Sequence, residues 1–119
     1  MADYKEEHIN NTREYKLKTK LTTCQNLIEF SSNITNFRNA ICDNIISYSI
    51  EILKELIVFI YDNGMENKKR IERSKHIINN NLLVISSLLE ILSKQQIIKQ
   101  KDLSEFERYY EILRINNEF

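Results

Sequence analysis

A chain of 119 residues with no proline and a single glycine, Gly64, lacks the two residue types that most often end a helix. Long uninterrupted helices are therefore permitted, and few features can divide them. The length suits one domain, since a single core typically serves roughly 100 to 150 residues. Leu, Ile, Glu and Lys fill the periodic stretches. Asn and Ser gather near the candidate joints, where their side chains cap helices or turn the chain.

The apolar spacing predicts four helices. Residues 1–12 are charged and poor in apolar anchors, so they are expected to form a polar N-terminal extension, with residues 13–119 as the single domain. From Arg13 onward, Leu17, Leu21, Cys24 and Ile28 recur at three-and-four spacing, with Leu27 alongside, which is one face of a first helix. The pattern thins at Phe30-Ser31-Ser32-Asn33, and Ser32, Asn33, Thr35 and Asn36 are N-cap candidates for the next helix. The second helix is expected from Phe37 to Tyr61. Ile41, Ile45, Tyr48, Ile52, Leu56 and Phe59 make one stripe on it, and Ile46, Ile50, Leu53, Ile57 and Ile60 make another. Two stripes imply burial on two sides, either inside a bundle or at an interface between copies of the chain. Asp62-Asn63-Gly64 closes the helix, with Gly64 free to take the left-handed conformation.

A third helix, from Glu66 or Asn67 to about Ser93, repeats Ile71, Ile78, Ile85 and Leu92 every seven residues, with Leu82 and Leu89 between them. Ile97 and Ile98 lie in a short connection, as a last turn or a small plug. Asp102 with Glu105 and Ser104 with Glu107 are capping-box patterns before a fourth helix, which carries Leu103, Phe106, Tyr110 and Leu113 on one face. Short joints place neighbours antiparallel, so the expected fold is an all-α, antiparallel up-down-up-down four-helix bundle. Its expected core is Ile45, Ile52, Leu56, Phe59, Ile78, Leu82, Ile85, Leu89, Phe106 and Leu113.

The 17 basic and 17 acidic residues cancel, which argues against a global nucleic-acid or membrane field and makes any basic function regional. No run of about 18 apolar residues is seen, and the polar start is unlike a signal peptide, so a cytoplasmic protein with no membrane contact is expected. Cys24 and Cys42 form no CxxC pair and sit among apolar residues, as buried reduced thiols do. His8 and His76 stand in no metal-ligand spacing, and no glycine-rich loop or nucleophile motif occurs. Glu51 and Glu55 read as a solvated helix face. A non-enzyme without metal or cofactor is the expectation.

One polar feature stands out. Lys68, Lys69 and Arg70, followed by Arg73 and Lys75, begin the third helix, where the helix dipole favours anions over cations. Arg13, Lys16 and Lys20 recur at helical spacing on the first helix, and in an antiparallel bundle both groups fall at one end. These eight residues are the candidate site for nucleic acid or another acidic partner. The plainer alternative is a solvated helix end compensated by Glu66 and Glu72. Tyr48, Tyr61, Tyr109 and Tyr110 are read as core or rim residues rather than a base-stacking platform.

Several segments taken together are similar to a known family. Phe37-Arg38 precedes a long apolar helix containing Glu51-Ile52-Leu53-Lys54-Glu55-Leu56-Ile57, and Lys68-Lys69-Arg70 forms a charged step. Leu82-Leu83 leads on to Leu92, and the Ile97-Ile98 connection precedes Tyr109-Tyr110-Glu111-Ile112-Leu113. Over roughly two thirds of its length the chain thus resembles the accessory variability determinant (Avd) proteins of diversity-generating retroelements. The resemblance implies a non-catalytic four-helix accessory protein that forms a homo-oligomer and engages a reverse transcriptase and its RNA through basic surface residues. The rival class is a protein-binding bundle of the immunity-protein or phage/viral inhibitor type with no nucleic-acid role, which the balanced charge fits equally well.

Overall fold

The computed structural model describes residues 2–36, 39–61 and 68–116, with side chains from residue 15 onward except at position 61. These residues form four helices and no strand: α1 (Ala2–Asn33), α2 (Ala40–Tyr61), α3 (Lys68–Lys94) and α4 (Gln100–Leu113). α2 packs between α1 and α3, and α4 closes the arrangement by packing on both α3 and α1. Among the described residues, the backbones of α1 and α3, and those of α2 and α4, do not approach closely, so these pairs lie diagonally across the shared core. The shortest dimension is 20 Å, about two helix diameters.

All ten residues expected in the core are buried. Cys24, Leu27 and Phe30 of α1 complete the core, as do Leu92 of α3 and Ile98 and Ile115 beyond the ends of α3 and α4. Cys24 and Cys42 are both buried free thiols. By length and composition α3 is the one described helix long and apolar enough to cross a membrane, a property the sequence reading gave to no segment. Ile78, Leu82, Ile85, Leu89 and Leu92 of this helix face the shared core.

The second stripe of α2 is not covered within the chain, which removes the first of its two expected settings, burial inside the bundle, and leaves an interface between copies. Ile46, Leu53 and Ile60 are only half-buried, and Ile50 and Ile57 are each 38% exposed, so α2 is not buried on two sides. One face supplies the core and the other stays at the surface.

The helix ends differ from their sequence reading for local reasons. α1 begins at Ala2, so the backbone of the expected extension is helical and continuous with the rest. No breaker stands between the two parts. Ser31 and Ser32 do not end α1; their hydroxyls donate to the carbonyls of Leu27 and Ile28 one turn back, at 2.7 and 2.9 Å. α2 is capped instead by Asn39, whose Oδ1 accepts from the Ile41 N–H at 2.8 Å. At α4, Asp102 is not the cap but lies inside the first turn and accepts from the Lys99 N–H at 2.9 Å; Ser104 is also within the helix and donates to the Gln100 carbonyl. The Phe37 start, the Gly64 stop and the Glu66 or Asn67 start fall outside the described residues.

The end of α3 rests on a non-glycine residue. Gln96 takes the left-handed conformation at φ 61°, its N–H reaches the Ser93 carbonyl, and the Ile97 N–H reaches the Leu92 carbonyl at 2.9 Å. This paired bonding is the Schellman motif. It turns the chain so that Ile98 is buried and Ile97 half-buried, and the connection is therefore a plug.

Past α4 the chain is held by α3 and α1. The Asn79 amide donates from Nδ2 to the Ile115 carbonyl at 3.0 Å and accepts the Ile115 N–H on Oδ1 at 2.9 Å. Lys20 Nζ donates to the Ile112 carbonyl at 2.6 Å and lies 3.4 Å from that of Arg114, placing a cation at the C-terminal end of α4, where the dipole favours one.

Two stability effects are expected. Asn79→Ala removes both bonds and should cost about 1 to 3 kcal/mol in urea unfolding, whereas the exposed Asn80→Ala should be near neutral. Gln96→Gly relieves a left-handed side chain, a penalty of roughly 1 to 2 kcal/mol partly offset by the greater unfolded-state freedom of glycine. A net gain of up to about 1 kcal/mol should raise the thermal midpoint.

Candidate functional site

α3 opens with Lys68, Lys69 and Arg70, all exposed, and has no acidic residue in its first turn. Its N-terminal end therefore sets three cations beside the positive end of the helix dipole. Residues 69 and 73 are one turn apart, as are 70 and 73, and all three side chains line one groove.

The opposite wall of that groove comes from α2. Glu55 and Val58 face Lys69, Arg70 and Arg73 across an open space of about 530 Å³. Glu55 is half-buried, and its Oε1 accepts the hydroxyl of Ser74 at 2.5 Å. Ser74 is itself buried within the packed face of α3. Glu55 is thus not on a solvated face: a hydrogen bond across the α2–α3 contact holds it. Among the described residues the groove is lined by three cations and one carboxylate. Two guanidinium groups can grip a phosphate or carboxylate through paired N–H donors, with Lys69 adding a mobile point charge.

The other predicted site residues are placed elsewhere. Lys16 and Lys20 line a separate cavity of about 290 Å³ between α1 and the end of α4, with Tyr15, Glu111, Ile112 and Arg114. Lys20 there is the helix-capping cation described above. Lys75 is half-buried on α3, one turn before Asn79 and therefore on the side facing α4. The Arg13 side chain lies outside the described residues. The structure therefore brings Lys69, Arg70 and Arg73 together, with Lys68 adjacent, and puts Lys16 and Lys20 in a different groove on a helix diagonal to α3.

Glu55 and Ser74 were missed by sequence reasoning. A signal was present, because Glu55 stands three residues after Ile52 and four before Phe59, beside the core stripe and not opposite it.

The remaining chemically interesting groups have structural partners. Cys24 Sγ is 3.5 Å from the Ser49 carbonyl, and burial pushes its thiol up to about 12. Burial, and then the neighbouring Asp43, also raises Cys42. Tyr109 packs edge-on against Phe30 with ring centres 5.7 Å apart, and Tyr110 against Phe106 at 6.2 Å. Both rings are thereby occupied in packing. Among the described residues, no group of three or more His, Cys, Asp or Glu side chains is placed to hold a metal ion. Compared with protein-family models, with curated proteins and with solved structures, the chain matches none of them.

A thiol with its pKa near 12 has almost no thiolate at pH 8. Cys24 in the folded protein should resist alkylation by iodoacetamide for hours at that pH and react within minutes in denaturant. Mass spectrometry of the native and unfolded samples measures the difference.

Proposed function

We propose that the chain is a non-catalytic accessory protein, built as an antiparallel up-down-up-down four-helix bundle, that binds an anionic partner through the groove at the start of α3. The observation that carries this reading is the convergence of Lys69, Arg70 and Arg73 on one groove at a helix N-terminus, in a chain whose charges cancel as a whole. The antiparallel arrangement is supported by cross-helix pairs: Lys20 of α1 meets the last residues of α4, whereas Phe30, further along α1, meets the earlier Tyr109.

RNA is the preferred partner, because its phosphates suit paired guanidinium groups. The likeness to the accessory variability determinants adds a reverse transcriptase and a homo-oligomer to this reading. Two buried, unpaired thiols suit the reducing cytoplasm. A second reading, a bundle that blocks another protein by surface contact without nucleic acid, is favoured by the overall neutrality and by the carboxylate of Glu55 within the groove.

The test is binding of a single-stranded RNA oligonucleotide, and of a reverse transcriptase, at two salt concentrations. Lys69/Arg70/Arg73→Ala should abolish most RNA affinity and flatten the salt dependence, since each phosphate contact contributes about 0.7 to the logarithmic slope for single strands. Lys101→Ala, on the exposed start of α4, should change neither. Helicity by circular dichroism should be unchanged in both. Equal affinity in the folded triple variant would assign the basic step to solubility and favour the protein-blocking reading.

A further inference from the structure

The outward face of α3 carries a pattern of which one contact within the chain, His76 Nε2 to Glu72 Oε2 at 4.0 Å one turn apart, accounts for only a part. Between His76 and Glu90 the helix has no charged residue, although 29% of the chain is charged. Leu83, in the middle of that stretch, is 55% exposed, the most exposed large aliphatic residue described. Val84 and Ile91 flank it, also exposed. The ionisable residues at either side are placed symmetrically about Leu83. His76 and Glu90 stand seven residues before and after it, and Glu72 and Lys94 stand eleven before and after. Steps of seven and eleven are close to whole numbers of helical turns, so all five residues share one stripe, turned away from Ile78, Leu82, Ile85 and Leu89. All five are exposed.

We propose that this stripe is a self-association surface on which α3 packs antiparallel against α3 of a second copy, with the two-fold axis passing beside Leu83. In that register each Leu83 meets the other Leu83, His76 of one copy faces Glu90 of the second copy, and Glu72 faces Lys94. The two-fold repeats each pairing, about 10 and 16 Å from the axis on either side. The occupant is identified by charge complementarity, because the stripe complements itself when reversed. The neighbouring registers do not do so: a slip of three residues sets Lys69 against Lys94 of the second copy, and a slip of four sets His76 against Lys94. A parallel pairing would put Glu72 on Glu72, Glu90 on Glu90 and Lys94 on Lys94. The second stripe of α2 offers an apolar rim but no comparable charge pattern.

This inference deepens the homo-oligomer in the proposed function and does not depend on the anionic partner. The experiment is a concentration series by sedimentation or light scattering on the full chain, expected to approach twice the 14.3 kDa monomer mass. Leu83→Arg, on an exposed site, should abolish the dimer without loss of helicity. Lys94→Glu should weaken it roughly tenfold, because each clash occurs twice across the axis. Glu72→Lys combined with Lys94→Glu in one chain should restore it. As a test of direction, Leu83→Cys should cross-link readily on oxidation and Glu90→Cys should not, since the two Glu90 positions lie about 21 Å apart along the antiparallel pair. Equal cross-linking at both positions, no rescue by the double variant, or dissociation by Ile57→Lys but not by Leu83→Arg would overturn the α3 interface while leaving self-association standing. A mass of 14.3 kDa at every concentration would overturn both.

Discussion

The structure depends on burial of one shared apolar seam. Isolated helices of these lengths are marginal in water, because nucleation is costly and propensity returns little per residue. Ile78, Leu82, Ile85, Leu89 and Leu92 of α3 form the spine of the seam, and the other three helices are held by what they bury around it. Water is excluded along most of its length by branched aliphatic side chains. Two of the polar groups inside are small and satisfied locally: the hydroxyls of Ser31 and Ser49 each bond a carbonyl one turn back and lie 3.5 Å from one another across the α1–α2 contact. Such groups let two helices approach closely without leaving an orphaned donor.

This dependence explains why helix identity was legible and helix caps were not. A core residue reveals itself by recurrence over several turns, so Ile45, Ile52, Leu56, Leu82 and Phe106 could be assigned from spacing alone. A cap is one local choice among competing hydrogen bonds. Ser31 and Ser32 look like a joint but bond backwards into α1, and the cap of α2 passes to Asn39. Asp102 is recognisable as a helix-start residue, yet it serves from within the first turn. The left-handed position at the end of α3 is Gln96, where composition gives no warning because the motif is made by backbone bonds.

The candidate site divides in the same way. Its cations were legible because Lys68, Lys69 and Arg70 are consecutive and stand where the helix dipole disfavours them. Their grouping was not, since it depends on which helices touch. Lys16 and Lys20 share the helical spacing of a surface patch, but α1 lies beside α2 and α4 and diagonal to α3, so they line a different cavity. Glu55 enters the groove through a hydrogen bond to Ser74, a partner 19 residues away that no local pattern identifies. The second stripe of α2 was legible as apolar but not as to what covers it: within one chain it is half-exposed, as isoleucines at a helix rim commonly are, which leaves the expected interface between copies as the alternative to burial inside the bundle.

Neutral composition therefore conceals charge segregated along one helix. The first turn of α3 is purely basic, its middle is uncharged, and its last turns carry Glu90 and Lys94. The antiparallel pairing proposed about Leu83 sets Lys94 of one copy opposite Glu72 of the other, so Lys68, Lys69 and Arg70 lie past the end of the second α3 and outside the pairing. Two basic grooves then point outward from one dimer, separated along the helix axis by about 40 Å, from the 26-residue register between the two Arg70 positions at 1.5 Å per residue. Two sites on one body raise avidity for a polyanion long enough to reach both, and add nothing for a short one. In the proposed dimer the neutral middle of α3 would thus set the distance between the two basic grooves, and the gain in avidity rests on both proposals together.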